Sequence, residues 1–185
     1  MSVIADWAAT TMVLVFGTAF VAKARSRLAF EDFAVSLTQF GLRTVLAQRV
    51  TATVVLALEV AACIGLLLLG GHPIARFALP ILLLVGFGVG IGLTARGGRP
   101  SACHCFGTST ELPAGPHLLL NGALAVLGCL AAGAGGQTGS TGDSVLGIGL
   151  GIISGVLFVG AADLHTALFS KAAAGANSAA VERVG

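Results

Sequence analysis

The chain has 185 residues, of which 56% are hydrophobic and 10% charged, and its mean hydropathy is +0.96. A soluble domain carries about 25% charged residues, so composition excludes a water-soluble globule and points to an integral membrane protein. The net charge of +2, with no basic patch interleaved with aromatics, leaves no footprint for nucleic acid.

The first apolar run, Trp7 to Ala22, meets no charge until Lys23. It is short for a span of about 20 residues, but Ser2 to Ile4 can extend it, and Trp7 suits a membrane interface. No basic region precedes it and Asp6 does, so it reads as a span and not as a cleavable signal peptide. Residues 28 to 43 differ. Phe30, Phe33, Leu37 and Phe40 recur at helical spacing, while Glu31, Asp32, Ser36, Gln39 and Arg43 take other faces. That stretch is too polar to span and predicts an amphipathic helix lying in the interface; an ordinary connector is the blander reading.

A second span follows Arg49 and runs to Leu69, where Gly70-Gly71-His72-Pro73 turns the chain. The third covers about Ile74 to Ala95; its Gly86, Gly88, Gly90 and Gly92 form two overlapping GxxxG pairs, a close-packing face for a neighbouring helix. A polar loop with three prolines, Arg96 to Pro116, precedes the fourth span, about His117 to Ala134. The fifth runs from Val145 to about Phe169, with Gly147, Gly151 and Gly155 again four apart. Residues 1–170 thus read as one all-α transmembrane helical bundle, a four-helix core with a fifth span and an interfacial helix, and 171–185 as a disordered tail. The expected location is an integral, multi-pass one, in the plasma membrane of a bacterium.

Lys23, Arg25, Arg27, Arg43, Arg49, Arg96, Arg99, Lys171 and Arg183 fall on one face of a five-span arrangement, and Arg76 alone on the other. The positive-inside rule then puts the 96–116 loop in the cytoplasm.

That loop carries Cys103-His104-Cys105-Phe106-Gly107. Two thiols one residue apart close only a small, strained ring, and strained, exposed disulfides are the labile, catalytic kind. Reactivity needs a thiolate, which His104, Arg99 or Lys23 would favour. The alternative is soft-metal binding, Cu(I), Zn(II) or Hg(II), by Cys103, His104 and Cys105, although a closed zinc site wants four ligands. The blandest reading is two structural or palmitoylated cysteines.

Glu59 stands ten residues past Arg49, about 15 Å along a helix and near the membrane midplane. An ionisable group there costs at least about 2.5 kcal/mol and is functional by default: a proton carrier, a quinone-site group or a partner for Lys23. The blander reading is a structural buried carboxyl, protonated or hydrogen-bonded. Cys63, one turn from Glu59, and Cys129 fall at similar depth and read as packing residues more readily than as a buried pair. Asn121, early in the fourth span, would hydrogen-bond a substrate or, more readily, a neighbouring helix. Asp163 and His165 read as interfacial caps, and His72 and His117 as helix-end residues.

Phe20-Val21-Ala22-Lys23-Ala24, Leu58-Glu59, Cys103-x-Cys105-Phe106-Gly107 and the following Asn121 resemble the MauE/DoxX group of redox-associated membrane proteins, the MauE family most of all, over about residues 10 to 135. The resemblance implies a helical bundle associated with disulfide formation in a partner enzyme, with a thioredoxin-like protein as electron partner. A more distant likeness to the vitamin K epoxide reductase bundle implies electron transfer to a quinone, with Cys103 and Cys105 as the redox pair. The chain departs from that bundle in having CxC for CxxC and no second loop pair. The family likeness would also put the thiols outside the cytoplasm, against the charge count.

The combined reading is a membrane thiol–disulfide oxidoreductase. Cys103 and Cys105 carry the exchange, Glu59 and Lys23 support it, and His104, Phe106, Gly107 and Asn121 contact substrate or partner. The rivals are the soft-metal carrier and a stabilising subunit of a larger membrane complex.

Overall fold

The computed structural model describes residues 3–96, 114–134 and 141–160. Cys103, His104, Cys105, Phe106 and Gly107, together with Asp163, His165 and the tail, lie outside the described residues. Six α-helices and one 3-10 turn make up the rest: α1 (Val3–Ala24), α2 (Arg27–Ser36), the 3-10 turn Leu37–Phe40, α3 (Val45–Leu68), α4 (Pro73–Arg96), α5 (Ala114–Ala134) and α6 (Thr141–Gly160). Helices α1, α3, α4 and α6 are long and apolar enough to cross a membrane, and α5 carries a shorter apolar run, Leu118–Ala134. The fold is an all-α, multi-pass membrane bundle, since backbone polar groups in lipid must be satisfied within each helix.

Local chemistry sets the boundaries. The Ser26 hydroxyl accepts from the Ala29 N–H at 3.1 Å and starts α2; Thr44 does the same for α3 at 3.3 Å to Ala47. Gly41, at φ +88°, closes the 3-10 turn, a conformation that favours glycine. Pro73 opens α4, where its missing N–H costs nothing.

Helices α1, α3, α4 and α5 close a ring in which each packs on its two neighbours, α1 and α4 meeting only slightly across the diagonal. Cys63 against Val13 and Glu59 against Lys23 show that α3 runs antiparallel to α1. Arg76 beside Asp6 and Phe87 beside Lys23 show that α4 runs parallel to α1. The ends of α1 and α4 and the start of α3 therefore share one end of the bundle, from which the 97–113 loop departs. The core between the helices is apolar, with Met12, Phe16, Leu66, Phe77, Leu84 and Leu124 buried together.

The stretch after α1 is helical and amphipathic, as its spacing predicts. Its apolar face does not simply lie on lipid: Phe33, Ala34 and Leu37 pack with Ala52 and Leu56 of α3.

The glycines divide in a way their spacing does not reveal. Those of α4 do not form a helix-packing face, a correction to the sequence expectation. A Cβ at Gly86, Gly88 or Gly92 would meet nothing within 4 Å, and Gly90 receives the Phe40 ring, not a helix. Those of α6 do pack closely. A Cβ at Gly147 would lie 2.7 Å from the Val3 carbonyl oxygen, one at Gly151 2.5 Å from Thr10 Cβ, and one at Gly155 2.7 Å from Leu14 Cδ1. Helix α6 therefore runs parallel to α1 in close contact, the arrangement small residues permit. A hydroxyl ladder locks it. The Trp7 indole N–H donates to Ser154 Oγ at 2.9 Å, and Ser154 Oγ and Thr11 Oγ1 are hydrogen-bonded at 2.7 Å. Trp7 thus belongs to a helix contact, where the sequence suggested an interface anchor.

Gly151→Leu should cost about 1–3 kcal/mol through overpacking and part α6 from α1. Trp7 is the chain's single tryptophan, so its emission reports the docking. In detergent, the variant's emission should match that of a chain truncated after Ala134. Unchanged emission would show that α6 does not rest on α1.

Candidate functional site

Lys23 sits in the last turn of α1 and is only 1% exposed. A lysine near a membrane helix end usually extends its ammonium toward the headgroups. Here a helical side chain's lean toward its own N-terminus carries Nζ the other way, into the bundle, where it donates to Glu59 Oε1. The Phe33 ring centroid lies 5.0 Å from Nζ and that of Phe87 5.8 Å. Aromatic faces attract a cation at such distances, so α2 and α4 complete its surroundings. Of the roles the sequence allowed Glu59, partnership with Lys23 is the one the structure brings together.

Asn121 falls in the same layer. A Cβ at Gly128 of α5 would lie 2.8 Å from Met12 Cε and 3.0 Å from Ile81 Cγ1, which fixes α5 against α1 and α4. Seven residues along the antiparallel α5 and α4 bring Asn121 level with Gly88, beside Phe87. Lys23, Glu59, Phe87 and Asn121 thus come one from each helix of the ring, at one depth, nearer the end from which the 97–113 loop leaves.

The layer is polar but not self-contained. Glu59 Oε2 and Asn121 Nδ2 are buried and make no hydrogen bond among the described residues. An unmet buried donor or acceptor costs about 1–3 kcal/mol. Each atom leaves one hydrogen-bonding position unmet, an acceptor on α3 and a donor on α5. The pairing of Asn121 with a neighbouring helix, expected from sequence, is not seen for its Nδ2.

Cys63 is half-buried, with Sγ 3.9 Å from the Val13 carbonyl, whereas Cys129 is exposed on α5. Both are free thiols, and α3 and α5 are not neighbours in the ring, so the buried pair is excluded. Cys63 packs as expected; Cys129 faces outward. His72 stands just before α4 as a helix-end residue, its carbonyl accepting from the Arg76 N–H at 2.9 Å.

A second ion pair escaped the sequence reading. Arg76, counted there as a membrane-face charge, is 8% exposed; Asp6, used only to argue against a signal peptide, is 6% exposed. Arg76 Nη1 lies 3.6 Å from Asp6 Oδ1, and Arg76 Nε donates to the Leu66 carbonyl at 2.7 Å. One guanidinium thus ties α4 to α1 and to the end of α3. The cost that singled out Glu59 applies at the membrane centre and falls toward helix ends, where Asp6 and Arg76 stand, so nothing in the sequence set these two apart.

The family described as Methylamine utilisation protein MauE matches residues 1–134, the stretch from α1 through α5. Neither the curated proteins nor the solved structures contain a match to the chain.

Proposed function

The chain belongs to the MauE family of methylamine utilisation proteins, and from that membership we propose that it is a membrane-embedded thiol–disulfide redox protein. Cys103 and Cys105 carry the exchange. One thiolate attacks a sulfur of a partner's disulfide, and the partner's other sulfur leaves as a thiolate. The second loop thiol, deprotonated, then displaces the partner from the mixed disulfide. The loop pair loses two electrons to the partner; run in reverse, the same steps install a disulfide in the partner. A thioredoxin-like protein or a quinone, the latter by the distant reductase likeness, is the other electron partner. A quinone would take two electrons and two protons to become the quinol.

The observation that carries this reading is the buried Lys23–Glu59 pair, in a layer near the loop's end of the bundle. Cys103 stands seven residues past Arg96, a chain reach of at most about 25 Å. Phe87 stands nine residues before Arg96, about 13.5 Å along α4. That tether is long enough to let the thiols reach the layer. There the Lys23 ammonium would favour a thiolate, and Glu59 would exchange the proton that thiol chemistry releases. Asn121, with His104, Phe106 and Gly107, would contact the partner or substrate.

The test uses the full chain in a Cys63→Ala/Cys129→Ala background, so that only the loop thiols report. The purified protein is equilibrated with graded ratios of reduced and oxidised glutathione, and free thiols are counted by maleimide mass. A single two-electron transition, absent from the Cys103→Ser/Cys105→Ser variant, is expected. Thiols that stay labelled at every ratio would refute the exchange.

A further inference from the structure

An apolar cleft of about 340 Å³ opens between the 3-10 turn, α3 and α4. Leu37, Phe40 and Leu42 form one wall, Val55 and Leu58 a second, and the α4 stretch from Leu79 to Gly90 a third. Thr51 is the one hydroxyl among its lining residues. That volume is at the small end for a ligand pocket, about 300–1,000 Å³, and fits one chain of a lipid better than a ring with several polar groups. An occupant that had to place carbonyls inside the cleft would find almost nothing to bond.

The mouth has a different character. Gly41, in its positive-φ conformation, swings the chain out of the 3-10 turn. Leu42 then lines the cleft, and Arg43 directly after it is exposed. This connection is fixed: Gln48 Nε2 donates to the Leu42 carbonyl at 2.8 Å, and Thr44 caps α3. The nearby Arg49 is already committed, its Nη2 lying 2.9 Å from Glu31 Oε1 and its Nε 3.2 Å from Glu31 Oε2. Arg43 has no such carboxylate among the described residues. An exposed arginine with no carboxylate partner among the described residues therefore directly follows a lining residue of an almost wholly apolar cleft, beside an amphipathic helix of the kind that marks the membrane boundary.

We propose that this cleft binds an anionic phospholipid, one acyl chain lying against Leu58, Leu83 and Gly86 and the phosphate meeting Arg43. Charge complementarity selects the headgroup: one basic side chain near the membrane surface favours an anionic lipid over a zwitterionic one by about five-fold. The proposal is independent of the thiol chemistry.

The test is native mass spectrometry of the purified full chain, exchanged into detergent with equal amounts of phosphatidylglycerol and phosphatidylcholine. Preferential retention of one phosphatidylglycerol is expected. A Cβ at Gly86 would meet nothing within 4 Å, and Gly86 lines the cleft, so Gly86→Leu starts from open space and fills the cleft. It should abolish retention of both lipids while the melting temperature is kept. Arg43→Gln should leave one lipid bound but cut the preference about five-fold, whereas Arg25→Gln, the same charge change away from the cleft, should not. Equal retention of the two lipids by the wild type would overturn the proposal. So would Gly86→Leu retaining phosphatidylglycerol, or an uncharged mass such as a quinone in its place. If free inorganic phosphate suppressed the preference with no lipid bound, Arg43 would be a simple anion site and the lipid assignment would fail.

Discussion

Glu59→Ala should lower the stability of the folded chain by about 3–5 kcal/mol, the cost of breaking a buried ion pair by removing one partner. Both side chains are 1% exposed, so the Lys23 ammonium left behind has neither water nor a counter-ion, only the faces of Phe33 and Phe87. Lys23→Met should cost a similar amount by stranding the carboxylate. The double variant Lys23→Met/Glu59→Leu should recover most of that loss, because well-packed apolar residues can replace a buried pair with little penalty. Thermal unfolding of the four proteins in one detergent checks the cycle. The same four proteins divide a structural role from a chemical one. If the pair only holds α1 to α3, the stable double variant keeps the redox midpoint and exchange rate of the loop thiols. If it supports the chemistry, the double variant folds and exchanges slowly or at a shifted potential. A double variant as unstable as the singles would show that the layer needs its charges for folding itself.

Arg76→Leu should be comparably severe, about 3–5 kcal/mol, because it removes two contacts at once. Asp6 loses its cation, with Oδ2 already making no hydrogen bond, and the Leu66 carbonyl at the end of α3 loses the Nε donor. Arg76→Lys should rescue little. A single ammonium cannot reproduce a planar fork that reaches a carboxylate with one nitrogen and a backbone carbonyl with another. Asp6→Asn, which keeps an acceptor while removing the charge, should cost less than Arg76→Leu. The pair lies at the opposite end of α1 from Lys23. Its variants should therefore lower the unfolding temperature without moving the midpoint of the loop thiols, and a shifted midpoint would show that the two ends of the bundle are coupled.

Much of the fold was legible in the sequence because its signals are local. Each apolar run is helical over its described residues, and the turn at Gly70-Gly71-His72-Pro73 separates α3 from α4 as expected. The 3.6-residue spacing of Phe30, Phe33, Leu37 and Phe40 located the amphipathic stretch. Glu59 was legible as special because a carboxyl within an apolar run carries a cost that depends on depth alone. Other features were not legible, because one pattern has several spatial meanings. GxxxG reports missing side-chain bulk, not what fills the gap: in α6 it was filled by backbone and side-chain atoms of α1, in α4 by Phe40 and a cleft. Cys63 and Cys129 share a depth, yet helices on opposite sides of a ring do not bring equal depths together. Arg76 counted as a surface charge until Asp6 was found beside it.

The sequence by itself determined that this is a multi-pass helical membrane protein, which segments are apolar helices, and that Glu59 lies within one of them. Those properties follow from transfer free energies and helical periodicity, both read within a single segment. Only the tertiary structure decided that Lys23 turns inward to Glu59, that Asn121 and Phe87 share their layer, and that Arg76 ties three helices. It also decided that α6, beyond the stretch matched by the family, docks on α1. Each of these depends on which helices are neighbours and at what relative height. Close approach at small residues and the pairing of buried charges fix that height, and neither acts until two distant segments meet.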